Sequence, residues 1–457
     1  MKERLAKLAA LHGVEPGYED VFHEWQEASD AAIRAVLAAM GVKAGNDGEV
    51  EASIAALERE SGRRVVPPVW VRRAANLREG IPIHLPEDAL THTLSWRIVE
   101  EDGDVREDRL ESLSRAFDLP LPDDLREGYH RIAIHRGGAA IGEGVLIVAP
   151  DACYLPPAIA AGARIWGASL QLYGVCSERN AGIGDFTDLR TAVEVWAERG
   201  GGIVGTNPLH SLSLRDPGSA SPYSPGSRLF VNPVYIDVEA VEDFRELGEH
   251  DAPFIRRWRG EKERLRAAPE VDYAAVAAAK RAVLGKCHAS FARRHMAKAT
   301  RRARSFGQFR ATRGQALRRH AVHEALEEFH RGKWPQWPEE HRDPASEGTR
   351  RFAEEHAEEV AFHEYVQWQA DIQLAAAQAR ARETGMAVGL YADLAISVAG
   401  DGSEAWANQG HYALGVDVGA PPDEFNPRGQ NWGLPPLSPR RPRSCSPWAH
   451  FGCEPRR

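Results

Sequence analysis

At 457 residues, 43% hydrophobic and 27% charged, the chain has the composition of a folded globular protein of about two to four domains. A net charge of −9 argues against a general nucleic-acid binder, since phosphate binding needs a local basic surface. Met1–Ala10 lacks the apolar run of a secretory signal, and no segment approaches the roughly eighteen apolar residues of a membrane span, so a cytoplasmic chain with no membrane partner is expected.

Five cysteines, Cys153, Cys176, Cys287, Cys445 and Cys453, lack the spacing of a metal site, and no metal or cofactor is expected. Residues 1–62 read as helical. Ile33, Val36, Leu37 and Met40 share one face of a predicted helix over Asp30–Met40, Ser29 can cap its start, and Gly41 can end it. A second helix is predicted over Val50–Arg59. From 63 to 150 the β-rich pieces Val65–Arg72, Ile81–Leu85, Leu94–Val99, Tyr129–Ile134 and Val145–Val148 predict a small antiparallel β-domain. Pro67-Pro68 should confine the first of these strands to an edge or split it.

Strand and helix then alternate. A strand over Ile165–Val175, a helix over Phe186–Arg199 and a strand over Gly202–Pro208 imply a parallel pair with a right-handed crossover. A helical, Arg-rich excursion occupies about 241–350. The chain returns through a helix over Glu354–Glu383, where Phe362, Val366, Ala370 and Leu374 step by four, and then a third strand over Met386–Val398. The expected fold class is α/β. Between Arg293 and Arg319 there are ten Lys/Arg and no acidic residue; with no aromatic platform interleaved, this reads as a solvated helical face, not a nucleic-acid site.

Five segments carry candidate chemistry: 178-ERNAGIGDF-186, 207-NPLH-210, 221-SPYSPGSRLFVNP-233, 389-GLYADLAISV-398 and 421-PPDEFNPRGQNWGLPP-436. Each falls at or beyond the carboxyl end of a predicted strand, where barrels of βα units place their function. Singly they are weak. Asn207 could cap a turn, His210 could be a satisfied loop histidine, and Gly182–Gly184 reads as a turn, not a phosphate cradle. Asp393 lies among apolar residues, and a carboxylate buried there is costly without a partner, which makes it the best isolated candidate.

Taken in order, WGASLQLYGVCSERNAGIGDF, NPLHSLSLRDPGSASPYSPGSRLFVNPVYIDV, GLYADL and PPDEFNPRGQNWGLPP closely resemble the 4-α-glucanotransferases known as amylomaltases or disproportionating enzymes, glycoside hydrolase family 77 of the α-amylase clan. The resemblance covers nearly all of residues 1–437; GYHRIAI at 128–134 and CYLP at 153–156 resemble the extra domains of the longer bacterial members. It implies a partial (β/α)8 TIM barrel over 164–437, with about three of eight strands present and the helical insertion inside it. It also implies retaining transfer of α-1,4-glucan segments between maltooligosaccharides through a covalent glycosyl-enzyme. Carried over by position, Tyr223 with Ser221 resembles an aromatic platform beneath the donor sugar, and Asp393 the aspartate supporting that sugar. Asp423, Phe425, Gln430 and Trp432 match a mobile loop over the cleft. Asn207, His210 and Asn232 shape the cleft floor or serve structure only. Ala181 stands where the family usually has Trp, and Cys176 where a basic residue is common.

The resemblance places the nucleophilic Asp in an RIDH-type motif, the acid/base Glu in an EDLG-type motif and a stabilising Asp in an HD motif, all after the third strand, and none is expected here. No catalytic residue is therefore assigned. Residues 438–457 hold five Arg, four Pro and two Cys without apolar period and read as an aberrant, disordered tail on a prematurely ended chain. The chain is expected to be inactive as written, the alternative being a non-catalytic maltodextrin-binding pseudoenzyme. Recruitment of Asp185, Asp216 or Asp393 as substitute carboxylates is disfavoured. The third strand is expected to keep an unpaired edge.

Overall fold

The hydroxyl of Ser29 accepts the Ala32 amide proton (3.1 Å) to start the helix Asp30–Ala39, and Gly41 takes φ +74° beyond its end, as the sequence predicts. The computed structural model in which this is seen describes residues 2–61, 64–110, 114–215 and 220–438. The chain divides into two units: Met1–Pro16, Ser29–Ala38 and Val42–Leu155 form one, while Gly17–Ala28, Ala39–Gly41 and the residues from Pro156 onward form the other.

The first unit adds helices Lys2–Leu11 and Asp47–Ser61. The latter starts earlier than the predicted Val50 because Asn46 Oδ1 accepts the Glu49 amide (3.0 Å). Strands β1 (Gly17–Glu19) and β2 (Trp25–Glu27), which belong to the second unit, form a hairpin that apolar periodicity did not signal. The first unit's sheet has the order β3-β9-β8-β5-β6, with β3 at Val69–Arg73, β5 at Leu94–Val99, β6 at Val105–Arg109, β8 at Gly128–Arg136 and β9 at Ala139–Ala149. β4 (Ile81–His84) and β7 (Ala116–Leu119) pair separately. The expectation of a purely antiparallel domain needs correction: β3 runs parallel to β9, joined through the long excursion that a parallel pair requires. Pro67 and Pro68 precede β3 on an edge, where their missing N–H groups cost no ladder bond. Leu94, Ile98, Ile132, Ile134, Leu146 and Val148 form the core of this unit.

In the second unit β10 (Gly167–Leu170), β11 (Ile203–Thr206) and β14 (Gly389–Ala392) form a parallel sheet in the order β10-β11-β14. Helix Phe186–Glu198 links the first two, and β12 (His210–Ser211) pairs antiparallel with β13 (Ser227–Val231). All three parallel strands are shorter than predicted. β10 stops where the Leu172 amide turns to a side chain, Asn207, in place of a neighbouring strand. The predicted helix over Glu354–Glu383 breaks at His356 (φ −111°, ψ 36°) into Glu347–Glu355 and Ala357–Glu383.

The excursion forms helices Ala252–Arg266, Tyr273–Phe291 and Arg301–His330, the last kinked at Gly314 (φ 54°). Its basic stretch is not simply solvated. Arg302 pairs with Asp243, Arg310 and Arg318 with Glu364, and Arg313 with Asp371. Three glutamines of helix Ala357–Glu383 spend their carboxamides on backbone. Gln367 exchanges two hydrogen bonds with Val231 (3.0 and 2.9 Å), Gln373 two with Asp237 (2.9 and 2.8 Å), and Gln378 accepts from Leu390 (2.9 Å). Among the described residues no helix is long and apolar enough to cross a membrane. The predicted tail beyond Ser438, and Asp216, lie outside the described residues.

Candidate functional site

Register sets Leu170, Thr206 and Ala392 side by side, so the residues that follow them gather at one end of the sheet, the end at which open α/β sheets bind ligands. Asp393 comes next after β14. Its amide carries the ladder one step further to Thr206 O (3.2 Å), and its Oδ1 accepts the Leu394 amide (2.9 Å). The sequence suggested a carboxylate enclosed by apolar side chains, and this is corrected. Asp393 is half-buried, and Tyr391, Leu394 and Ile396 around it are 60%, 68% and 60% exposed. β14 pairs only with β11 among the described residues, so no strand covers that edge.

The Tyr223 phenol lies by Asp393: partial burial first, and the charge of that carboxylate second, push its pKa up, so the phenol stays protonated at neutral pH. Tyr223 as a whole is 49% exposed. Ser221 forms the turn that presents it, its Oγ accepting from the Tyr223 amide (3.3 Å) and its carbonyl from the Ser224 amide (3.2 Å). His210 joins the same region: its Nε2 accepts the Ala395 amide (3.3 Å), two residues past Asp393. Burial first, and the charge of Arg228 second, lower its pKa and leave Nε2 available as an acceptor.

Asn207 and Asn232 lie behind this surface and are buried. The Asn207 carboxamide is fully used: Oδ1 accepts from Leu172 N (2.8 Å), while Nδ2 donates to Pro208 O (2.7 Å) and Tyr235 Oη (3.2 Å). Asn232 Oδ1 caps the turn at Val234 N (3.1 Å). Both hold the chain's path.

Sequence reasoning missed the clamp under Tyr223. Buried Glu404 accepts from Ser227 Oγ (3.1 Å), Arg228 N (2.7 Å) and Tyr412 Oη (2.6 Å). Its own amide donates to Gly226 O (3.0 Å), and Ala399 N donates to Pro225 O (2.8 Å). Gly226 and Gly402 touch backbone to backbone; a Cβ built at Gly402 would lie 2.5 Å from Gly226 Cα. Nothing in the local sequence DGSEAW marks Glu404 as a loop anchor.

The segment 178–186 is a structural knot. Arg179 reaches Asp185, Asp188 and Asp237, and Asp185 and Asp188 form a capping box on helix Phe186–Glu198. Buried Lys280 donates to Val234 O (2.6 Å) and Ile236 O (2.9 Å) beside it. Burial raises the Asp185 pKa against the pull of Lys280 and Arg179. Asp185 is thus committed to this network and is no substitute nucleophile. Gly182 (φ +81°) packs on Leu265 O, confirming a turn at this position.

The segment expected as a loop over the cleft is instead a hairpin of β15 (Val418–Ala420) and β16 (Gln430–Leu434). Asp423 Oδ1 holds its tip by accepting from Phe425 N (2.8 Å) and Asn426 N (2.6 Å), with Phe425 89% exposed. Trp432, 40% exposed, donates to Gln430 Oε1 (3.1 Å). Ser397 Oγ donates to Pro435 O (2.6 Å), fastening the hairpin's base to the segment after Asp393. Among the described residues no hydrogen bond joins Asp423, Phe425, Gln430 or Trp432 to Tyr223 or Asp393.

Two other groups could supply metal-ligand atoms, Asp243–Glu246–His295 and His323–Glu324–Glu327. Each already holds a cation of the chain, Arg302 on Asp243 and Lys333 on Glu327. A His-Asp dipeptide does occur, at His250–Asp251, contrary to expectation. It lies in the helical excursion, where Asp251 is buried and pairs with Lys286, and not after the third strand.

Residues 170–449 match the family described as 4-alpha-glucanotransferase, and residues 65–150 match a MalQ N-terminal beta sandwich domain. The 4-alpha-glucanotransferase of Mycobacterium tuberculosis is 36% identical over 465 residues, covering 96% of this chain and 61% of the relative. That of Haemophilus influenzae is 31% identical over 322 residues, 67% of this chain and 46% of the relative. The crystal structure of amylomaltase from Corynebacterium glutamicum superposes with a TM-score of 0.80 at 28% identity, over 96% of this chain and 61% of that one. The chain thus spans about 61% of the length of the mycobacterial relative and of the corynebacterial structure.

Proposed function

This chain belongs to the 4-alpha-glucanotransferase family, and from that premise we propose that its own part in the chemistry is to grip an α-1,4-glucan at the carboxyl end of β10, β11 and β14. The observation carrying this reading is the half-exposed Tyr223 beside the Asp393 carboxylate beyond those strand ends. A flat aromatic face takes the C–H face of a pyranose, and a carboxylate beside it accepts from that sugar's hydroxyls. Ser221 sets the turn under the platform. Asp423, Phe425, Gln430 and Trp432 close over the glucan from the 418–434 hairpin, while His210, Asn207 and Asn232 hold the walls. The three strands are the first part of a (β/α)8 barrel interrupted by the helical insertion, with the β-domain of 63–150 ahead of it.

Retaining transfer needs two carboxylates about 5–5.5 Å apart, one attacking the anomeric carbon and one moving the proton. Asp393 is the only acidic residue in the GLYADLAISV segment, Asp185 is held by Arg179, and the sequence contains no RIDH- or EDLG-type motif. The chain by itself therefore binds maltooligosaccharides and does not disproportionate them, which is the pseudoenzyme reading applied to this polypeptide alone. Calorimetric titration with maltoheptaose and glucose release from maltotriose test the two halves. Saturable binding that Tyr223→Ala weakens, without glucose release, is expected. Glucose release would overturn the second half, and binding insensitive to Tyr223 would overturn the first.

A further inference from the structure

Hairpin β1–β2 presents an aromatic face that the site above does not use. Gly17, Glu19, Trp25 and Glu27 share one side, because Glu19 pairs with Trp25 and Gly17 with Glu27. The Trp25 ring lies across Gly17: a Cβ there would sit 2.9 Å from Cζ2 and 3.0 Å from Cε2. One face of the indole is thus backed by bare backbone, and the side chain as a whole is 60% exposed. Tyr18, Val21 and Phe22 add exposed apolar surface around the turn.

The turn beneath it is hydrogen-bonded throughout by one side chain. Asp20 accepts from the amides of Phe22 (2.9 Å) and Glu24 (3.0 Å) and from Gln26 Nε2 (3.0 Å), and His23 takes φ +62° to complete the turn. Those backbone hydrogen bonds, led by Glu24, hold the Asp20 carboxyl below its usual range. A platform fixed in this way loses little conformational entropy when a ligand lands on it.

We propose that Trp25, flanked by Glu19 and Glu27, is an accessory glucan-binding platform, engaging a pyranose of an α-1,4-glucan outside the Tyr223–Asp393 cleft. This rests on the glucan reading of the chain. An indole with one backed and one open face suits the C–H face of a neutral sugar, and the carboxylates on either side, Glu19 through lone pairs beyond its contact with His23 Nδ1 (2.6 Å), suit its hydroxyls. Glu19, Asp20, Glu24 and Glu27 within one short hairpin repel an anionic membrane and interrupt the apolar surface that a protein interface would want continuous.

The test is fluorine NMR of the full chain labelled with 5-fluorotryptophan, with the Trp25 and Trp432 resonances assigned by loss in Trp25→Phe and Trp432→Phe. Titration with maltoheptaose should move the Trp25 resonance saturably, and Trp25→Ala should weaken retention in glycogen-containing native gels by roughly three- to tenfold. If Trp432 moves and Trp25 does not, the accessory platform is overturned while the cleft reading stands. If Trp25 moves and Trp432 does not, the platform stands and the cleft reading fails. If neither moves, both fail. A Trp25 resonance that follows protein concentration and ignores maltoheptaose assigns the face to a second copy of the chain and overturns the proposal.

Discussion

Adding a single methyl group on either side of the Gly226–Gly402 contact should have opposite consequences. At Gly402 a Cβ would lie 2.5 Å from both Gly226 Cα and O and 2.9 Å from its carbonyl carbon, where ordinary contact begins at 3.4 Å. Every obstructing atom is backbone, so Gly402→Ala forces the two segments about 1 Å apart, an overpacking cost of about 1–3 kcal/mol. The separation also strains the Glu404 N to Gly226 O and Ala399 N to Pro225 O hydrogen bonds, at about 1 kcal/mol each if lost. At Gly226 the reciprocal Cβ meets Ser211 O at 3.6 Å and Gly402 Cα at 3.8 Å, and the backbone needs no left-handed φ. Gly226→Ala should therefore be neutral or stabilise by up to about 1 kcal/mol through the unfolded chain. Urea melts and maltoheptaose titration of both variants measure the contrast. Gly402→Ala should lose about 3 kcal/mol and bind more weakly, because Gly226 lies three residues from Tyr223. Equal behaviour of the two variants, or a Gly402→Ala protein with wild-type stability and affinity, would refute the reasoning.

Arg179→Met removes the guanidinium that pairs with Asp185, Asp188 and Asp237 and leaves them only the field of buried Lys280; with Arg179 about one-third exposed, the expected loss is about 3 kcal/mol, read in urea melts at pH 7.5. The loss should shrink at lower pH, where protonated carboxyls no longer need the cation; a loss that grows on acidification would count against the network. Burial holds His288, His320 and His323 at about 4 and His363 at about 3, below the 6.5 of the unfolded chain. The unfolded state therefore binds more protons on these groups, and stability that is full above about pH 6.5 falls as the pH drops toward 4. At pH 5 each histidine costs about 2 kcal/mol. Largely buried Glu324, its side chain 14% exposed and its pKa raised to about 7 by desolvation, works in the opposite sense and offsets about one of them. Thermal melts at pH 7.5 and pH 5 should differ clearly; equal midpoints would refute the assignment of these four rings as buried and neutral.

The parts of the fold legible in the sequence were those written as periodicity. The helix around Ile33 and Leu37, the β-rich texture after residue 63 and the strand–helix–strand order from residue 165 all follow from apolar spacing and turn residues. The hairpin at 17–27 was not legible, because its apolar side chains point to solvent and no alternation marks them. β6, the charged run VREDR, was missed for a related reason: it is mostly exposed and held by its ladder to β5. In the site, Asp393 stood out from its local context and Tyr223 only through the family resemblance, yet Asp393 proved more open than its apolar neighbours implied, since an edge unpaired among the described residues exposes those neighbours too. The three glutamines were invisible because their partners are backbone groups 12 to 136 positions away, which leave no signature in a residue string, and Glu404 because two of its three donors, Ser227 and the Arg228 amide, lie more than 170 positions back.

The glutamine pairs turn helix Ala357–Glu383 into a measuring rod. Gln367 and Gln378 are eleven residues apart, close to three turns and so on one flank, while Gln373 lies about 120° around the helix, and together they read off Val231, Asp237 and Leu390. A carboxamide bonded to a peptide group tolerates neither rotation nor sliding. Deleting one residue between Gln367 and Gln378 would swing one end of the rod by about 100° relative to the other and leave at least one peptide group without its partner. Length variation in this chain should therefore be absorbed in the turns of the excursion between Asp237 and Ala357, while the count of residues along the rod stays fixed.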